Sequence, residues 1–74
     1  MKAGYYRKNQ LQFMAPWEPT LNMDGVSISE ADRLNGSPQR GDMIAVNLKD
    51  ETDRWLIAKD FFTDNYEFVS YKGL

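Results

Sequence analysis

Two short apolar stretches decide the fold: Asp42-Met43-Ile44-Ala45-Val46-Asn47 and Arg54-Trp55-Leu56-Ile57-Ala58. The polar segment Lys49-Asp50-Glu51-Thr52-Asp53 lies between them. Runs of this length, rich in branched and aromatic side chains, are typical of buried strands. Since the connection is short and polar, the sequence predicts an antiparallel hairpin with its loop at 49–53.

Two alternating segments flank this hairpin in the sequence. Gln10-Leu11-Gln12-Phe13 alternates polar and apolar residues, and the same strand is compatible with a start as early as Tyr5. Tyr66 to Tyr71 alternates again and predicts a final strand. An isolated hairpin is only marginally stable in water, so we expect both segments to pair with it in one sheet.

Two segments have the composition of short helices. The first helix has two alternative N-terminal caps, Ser27 paired with Glu30 or Ser29 paired with Asp32. It should end near Asn35-Gly36, where a glycine suits the C-terminal cap. The second covers Lys59 to Asn65. The sequence therefore predicts an α+β fold: a small antiparallel sheet of about four strands with two short helices.

The chain has 74 residues, with neither cysteine nor histidine. This length predicts one domain over 1–74, with a basic N-terminal strand or arm at 1–12, a compact core at 13–71 and a frayed tail at 72–74. The composition removes disulfides, thiolate chemistry, the usual zinc ligands and the commonest general base. We expect a protein that is not an enzyme and that holds neither a metal nor a cofactor.

Charge is distributed unevenly within a net charge of −2. Residues 1–12 contain Lys2, Arg7 and Lys8 and no acid, whereas the remaining residues carry an excess of acids. Nucleic-acid binding usually requires a concentrated basic face, so nucleic acid is a disfavoured partner. No apolar run is long enough to span a membrane, and the first residues lack the apolar region of a signal peptide. These features predict a cytoplasmic protein without membrane contact.

Aromatic and arginine residues outside the expected core are the candidate binding residues. Tyr5 and Tyr6 adjoin Arg7, and Trp17 lies between two prolines in an irregular stretch. Such combinations are typical of interface hot spots. A second group, predicted to line a pocket for a small ligand, is Arg40, Asn47 and Trp55. For each of these residues a purely structural role is the alternative, and it is the favoured one for Trp55 and for the Gly36–Gly41 connection that carries Arg40.

Several motifs resemble a family of small uncharacterised phage and prophage proteins. They are Ile28-Ser29-Glu30-Ala31-Asp32-Arg33, Gly36-Ser37-Pro38, Arg40-Gly41-Asp42-Met43-Ile44-Ala45-Val46-Asn47, Asp53-Arg54-Trp55-Leu56-Ile57-Ala58-Lys59-Asp60-Phe61-Phe62 and Asn65-Tyr66-Glu67. The resemblance covers roughly residues 17–69. It implies a phage origin and a location in the host cytoplasm, and it implies no particular activity.

The leading hypothesis is a phage accessory protein that binds and modulates a host protein, for example a defence or regulatory factor. One alternative is an oligomer that binds and sequesters a small ligand or nucleotide. A second alternative is a structural protein of the virion or of its assembly. Self-association is compatible with each of these, because a chain this short has a thin stability margin.

Overall fold

A six-stranded mixed sheet organises the protein, in the order β3-β5-β4-β2-β1-β6. The computed structural model describes residues 2–71. Its elements, in chain order, are β1 (Gly4–Arg7), β2 (Leu11–Pro16), β3 (Val26–Ser27), α1 (Glu30–Leu34), β4 (Met43–Asn47), β5 (Asp50–Ile57), α2 (Lys59–Asn65) and β6 (Glu67–Ser70). Every strand pair is antiparallel except β3 with β5, which is parallel.

The α+β class is therefore correct, but the prediction of about four strands and a purely antiparallel sheet is wrong. The expected N-terminal strand is divided at residues 8–10 into β1 and β2, which pair with each other as a hairpin. The two-residue β3 adds the sixth strand. Its sequence is too short to show a period of two, so only the tertiary contact with β5 identifies it.

The prediction of a loop at 49–53 is also wrong, because β5 begins at Asp50. Asn47 pairs with Asp50, whereas Val46 pairs with Arg54, so the extra residues of β5 form an irregularity beside the turn. Hydrogen bonds from the Thr52 hydroxyl, and then from the Thr52 amide, hold the pKa of the Asp50 carboxyl below its usual range. Local side-chain bonds thus make this polar stretch compatible with a strand.

Both helices form where the sequence predicts them. Of the two alternative caps, Ser29 is the one used: its side chain accepts a hydrogen bond from the Asp32 amide at 3.1 Å. Helix α2 covers Lys59–Asn65 as expected, although Ala58 provides no side-chain cap. The final strand is shorter than expected, and the predicted frayed tail at 72–74 lies outside the described residues.

One face of the sheet, here called the helix face, packs against α2. Its buried cluster consists of Tyr6, Met14, Met43, Ala45, Ile57 and Phe62, with Trp55, Tyr66 and Phe68 packed at its margin. The β1 backbone comes close to β6 here, since a Cβ atom on Gly4 would lie 2.6 Å from the Phe68 ring. Of the two alternatives expected for the N-terminal segment, a strand or an arm, the structure has a strand: β1 lies inside the sheet, between β2 and β6.

The opposite face is covered over only part of its width by a segment that we call the strap, residues 17–28. Trp17, Met23 and Ile28 of the strap pack around a second buried cluster of Val26, Ile44 and Leu56. The Arg54 guanidinium holds the strap by donating to the carbonyl oxygens of Asp24 at 2.8 Å and Asn22 at 3.5 Å. This side of the sheet is called the strap face below.

A buried carboxylate joins the connection at 37–42 to α2. Asp42 is 0% exposed, and it accepts hydrogen bonds from the Ser37 hydroxyl (2.7 Å), the Gln39 amide (2.9 Å) and the Lys59 amide (2.9 Å). The Lys59 amide is a free donor in the first turn of α2, so Asp42 supplies the cap that Ala58 lacks. Gly41 beside it has φ +100°, and a Cβ atom there would lie 2.6 Å from Lys59 Cδ.

Candidate functional site

The strap face contains an apolar surface outside both buried clusters. Its side chains follow from the strand register: Tyr5 pairs with Phe13, Phe13 with Val46 and Val46 with Arg54, so all four project on one side of the sheet. Leu11 projects on the same side as Phe13, two residues before it along β2. We call Tyr5, Leu11, Phe13 and Val46 the open patch.

Each member of the open patch is partly exposed. They line two adjoining grooves of about 420 Å³ and 310 Å³, which share Val46, Asn47 and Leu48. At the centre, the rings of Tyr5 and Phe13 meet edge to face with centroids 5.4 Å apart. Such a pair gives each ring a fixed orientation, so little side-chain entropy would be lost on binding.

Charges of both signs border the open patch. Arg7, two residues after Tyr5 on β1, forms an exposed ion pair with Glu67 at 3.2 Å. Glu51 and Lys49 border the grooves on the side of the β4–β5 turn. An aromatic centre with a charged margin resembles the arrangement found in protein–protein interfaces.

The first group of predicted binding residues, Tyr5, Tyr6, Arg7 and Trp17, is distributed over both faces of the sheet. Tyr5 and Arg7 lie on the strap face, and Trp17 lies on the same side, where it packs against Ile44 and its neighbours. Tyr6 points the other way and is 4% exposed. Its hydroxyl donates to the Lys2 carbonyl at 2.6 Å, and its ring contacts Phe62 and Phe68. Direct contact of the Tyr6 side chain with a partner is therefore excluded in this conformation.

Trp17 has one unusual property. Its Nε1 atom is buried and has no hydrogen-bond partner among the described residues. The ring covers part of the second cluster, and the Trp17 amide donates to the Asp42 carbonyl at 2.9 Å. These contacts give Trp17 a structural role in the strap.

The second group of predicted residues does not form one pocket. Arg40 precedes β4 and Asn47 ends it, so the two lie at opposite ends of that strand. Asn47 serves the turn through its side chain: Nδ2 donates to the Asp53 carboxylate at 3.1 Å, and Oδ1 accepts from the Lys49 backbone amide at 2.9 Å. Trp55 packs against the helix-face cluster.

Arg40 instead borders a separate polar groove of about 650 Å³ between α1, the 37–40 loop and α2. Its lining residues are Asp32, Asn35, Ser37, Gln39, Arg40, Ala58, Lys59, Asp60 and Phe61. Arg40 is exposed, and its Nη1 atom lies 3.7 Å from Oε2 of Glu18. Although this groove is larger than those at the open patch, its two cations are balanced by two acids, so it has no clear preference for a charged ligand.

The sequence reasoning missed Leu11, Phe13 and Val46 as surface residues. Each belongs to an apolar or alternating pattern, which predicts burial on one side of a strand. The available clue was the size of the chain, because the strap is too short to cover a sheet six strands wide.

Within residues 2–71, no group of three acidic, histidine or cysteine side chains is placed to hold a metal ion. None of the helices in that range is long and apolar enough to cross a membrane. Comparison with known proteins finds no matching family model, no similar curated protein and no similar solved structure.

Proposed function

We propose that this chain is a small, non-enzymatic phage accessory protein that binds and modulates a host protein in the host cytoplasm. The observation that carries the proposal is the open patch, in which two interlocked aromatic rings remain partly exposed at the middle of a sheet face. The phage origin rests on the sequence resemblance alone.

An uncovered open patch lowers the stability of the free protein. A sheet face of apolar side chains is normally covered, because each square ångström of apolar surface buried contributes about 25 cal/mol. Here Tyr5, Phe13 and Val46 occupy adjacent strands and stay accessible. A protein partner that covers this surface gains that stabilisation, and partly exposed apolar surface with a polar margin is typical of protein interaction sites.

Capture from infected host cells tests the proposal. The tagged wild-type chain should enrich one host protein, and Tyr5→Ala should reduce that enrichment strongly, since a central aromatic residue is typically worth about 2 kcal/mol or more of binding energy. Quantitative mass spectrometry of the bound fraction provides the measurement.

Tyr71→Ala is the matched control, because Tyr71 is an exposed tyrosine that is not part of the open patch. It should leave the enrichment unchanged. An enriched protein that is retained equally by Tyr5→Ala would contradict a role for the open patch, and capture of nothing by the wild type would contradict the proposed function.

The size of the polar groove beside Arg40 favours a second candidate, the binding of a small ligand, for which nucleotides are the first class to test. Its volume of about 650 Å³ lies in the usual range for ligand sites. A nucleotide that binds the folded state should raise the melting temperature, and Arg40→Ala should remove the effect. A flat response to a nucleotide panel would eliminate this candidate.

A further inference from the structure

The strand order of the sheet allows a second copy of this chain to cover the open patch in a two-fold arrangement. The sheet order β3-β5-β4-β2-β1-β6 has its midpoint between β4 and β2. A two-fold axis parallel to the strands at that midpoint would place β2 of one copy over β4 of another, and β1 over β5. Closed two-fold pairs are the commonest form of protein self-association.

The residues of the central register row match under this operation. The row contains Tyr5, Phe13, Val46 and Arg54 in order across four adjacent strands. Rotation brings Phe13 against Val46 of the second copy, and Tyr5 against Arg54 of the second copy. The first contact is apolar on apolar, and the second places a guanidinium near an aromatic ring, a favourable pair.

The charges at the end of the sheet match in the same way. Strand β1 ends at Arg7, and β5 begins at that same end of the sheet with Asp50 and Glu51. In the two-fold arrangement, Arg7 of each copy lies at the acidic start of β5 of the other. Two such contacts form, one on each side of the axis, and complementary charge of this kind fixes orientation and register.

The shape of the strap face also complements that of a second copy. The strap stands over the β5 side of the face, around Ile44 and Leu56, whereas the open patch extends to β1. Rotation therefore puts the raised half of one copy opposite the open half of the other. The molecule measures 35 × 26 × 21 Å, dimensions large enough to supply the roughly 800 Å² per partner of a standard interface.

We propose that a second copy of this chain covers the open patch in the free protein, and that a host partner must displace it. This inference rests on the proposed function, since it describes how the same binding surface is regulated. Self-association would keep the aromatic pair out of water until the host partner binds. The apparent affinity for the host partner would therefore fall as the concentration of this chain, and with it the dimer fraction, rises.

Sedimentation velocity of the full chain tests the inference. The wild type should change from a mass of 8.6 kDa toward twice that value as concentration rises, through a midpoint in the range of weak interfaces, roughly 10 µM to 1 mM. Arg7→Glu alone and Glu51→Lys alone should each weaken the dimer about tenfold. Arg33→Glu and Asp64→Lys are matched charge reversals outside the open patch, and they should have no effect.

Mixing the two single variants gives the sharpest result. A heterodimer of the Arg7→Glu chain with the Glu51→Lys chain contains two attractive pairs, one reversed and one original, whereas each homodimer contains two repulsive pairs. The mixture should therefore dimerise at the wild-type concentration. If both variants dimerise like the wild type, or if mixing restores nothing, the proposed interface is wrong.

The outcome for the dimer is separable from the outcome for the host partner. A wild type that stays monomeric at every concentration, yet captures a host protein through Tyr5, overturns this inference and leaves the proposed function intact. A charge-dependent dimer without any host partner supports the interface and contradicts the proposed function.

Discussion

Asp42→Ala should lower the free energy of unfolding by about 4 kcal/mol. The substitution removes the acceptor of three hydrogen bonds at a fully buried position and leaves the Ser37, Gln39 and Lys59 donors without it. Unsatisfied buried donors cost about 1–3 kcal/mol each, and loss of a helix cap costs about 1 kcal/mol. At this chain length the melting temperature should fall by about 20 °C.

Two further variants make this prediction specific. Asp42→Asn keeps the shape and one acceptor oxygen but directs an NH₂ group toward backbone or hydroxyl donors, so an intermediate loss of about 2 kcal/mol is expected. Asp64→Ala removes an exposed carboxylate from α2 and should change the stability by less than about 0.5 kcal/mol. Equal effects of Asp42→Ala and Asp64→Ala would contradict the capping role of Asp42.

Tyr6→Ala should also lower the free energy of unfolding by about 4 kcal/mol. The Tyr6 ring lies in the helix-face cluster, with ring centroids 4.9 Å from Phe62 and 5.3 Å from Phe68, and its removal leaves a cavity that this small core cannot refill. Urea unfolding followed by tryptophan fluorescence measures the effect, at protein concentrations below those at which self-association sets in.

Tyr5→Ala is the natural comparison, because the two tyrosines are neighbours on opposite faces of β1. Tyr5→Ala should lower the free energy of unfolding by only about 1 kcal/mol, because it removes one partly exposed cross-strand aromatic pair. Tyr6→Phe, which removes only the hydroxyl that donates to Lys2, should likewise cost about 1 kcal/mol. Similar losses for Tyr5→Ala and Tyr6→Ala would mean that β1 is oriented differently.

The sequence predicted the elements whose physics is local. The strand runs at 42–47 and 54–58 and the helix at 59–65 depend on neighbours within a few residues, and each is found where a local pattern places it, although β5 begins earlier, at Asp50. For the first helix the sequence left two caps open, Ser27 and Ser29, and the structure uses Ser29. The separation of Tyr5 from Tyr6 also follows from a period of two, once the residues are known to form a strand.

What sequence reasoning missed depends on contacts between distant residues. The strand β3 exists because Val26 and Ser27 meet β5, and the capping of α2 comes from Asp42, seventeen positions before Lys59. The open patch is a third case. Phe13 and Val46 have the pattern of core residues, and only the limited reach of the strap leaves them accessible.

The most direct test of the open patch as the binding surface is the dissociation constant of the purified host partner for Phe13→Ala and Phe61→Ala, by isothermal titration calorimetry. Phe61 is the matched control, an exposed phenylalanine on α2 outside the open patch. Phe13→Ala should weaken binding by at least about 30-fold, and Phe61→Ala by less than about twofold. Equal constants for the two variants, or greater weakening by Phe61→Ala, would contradict the account.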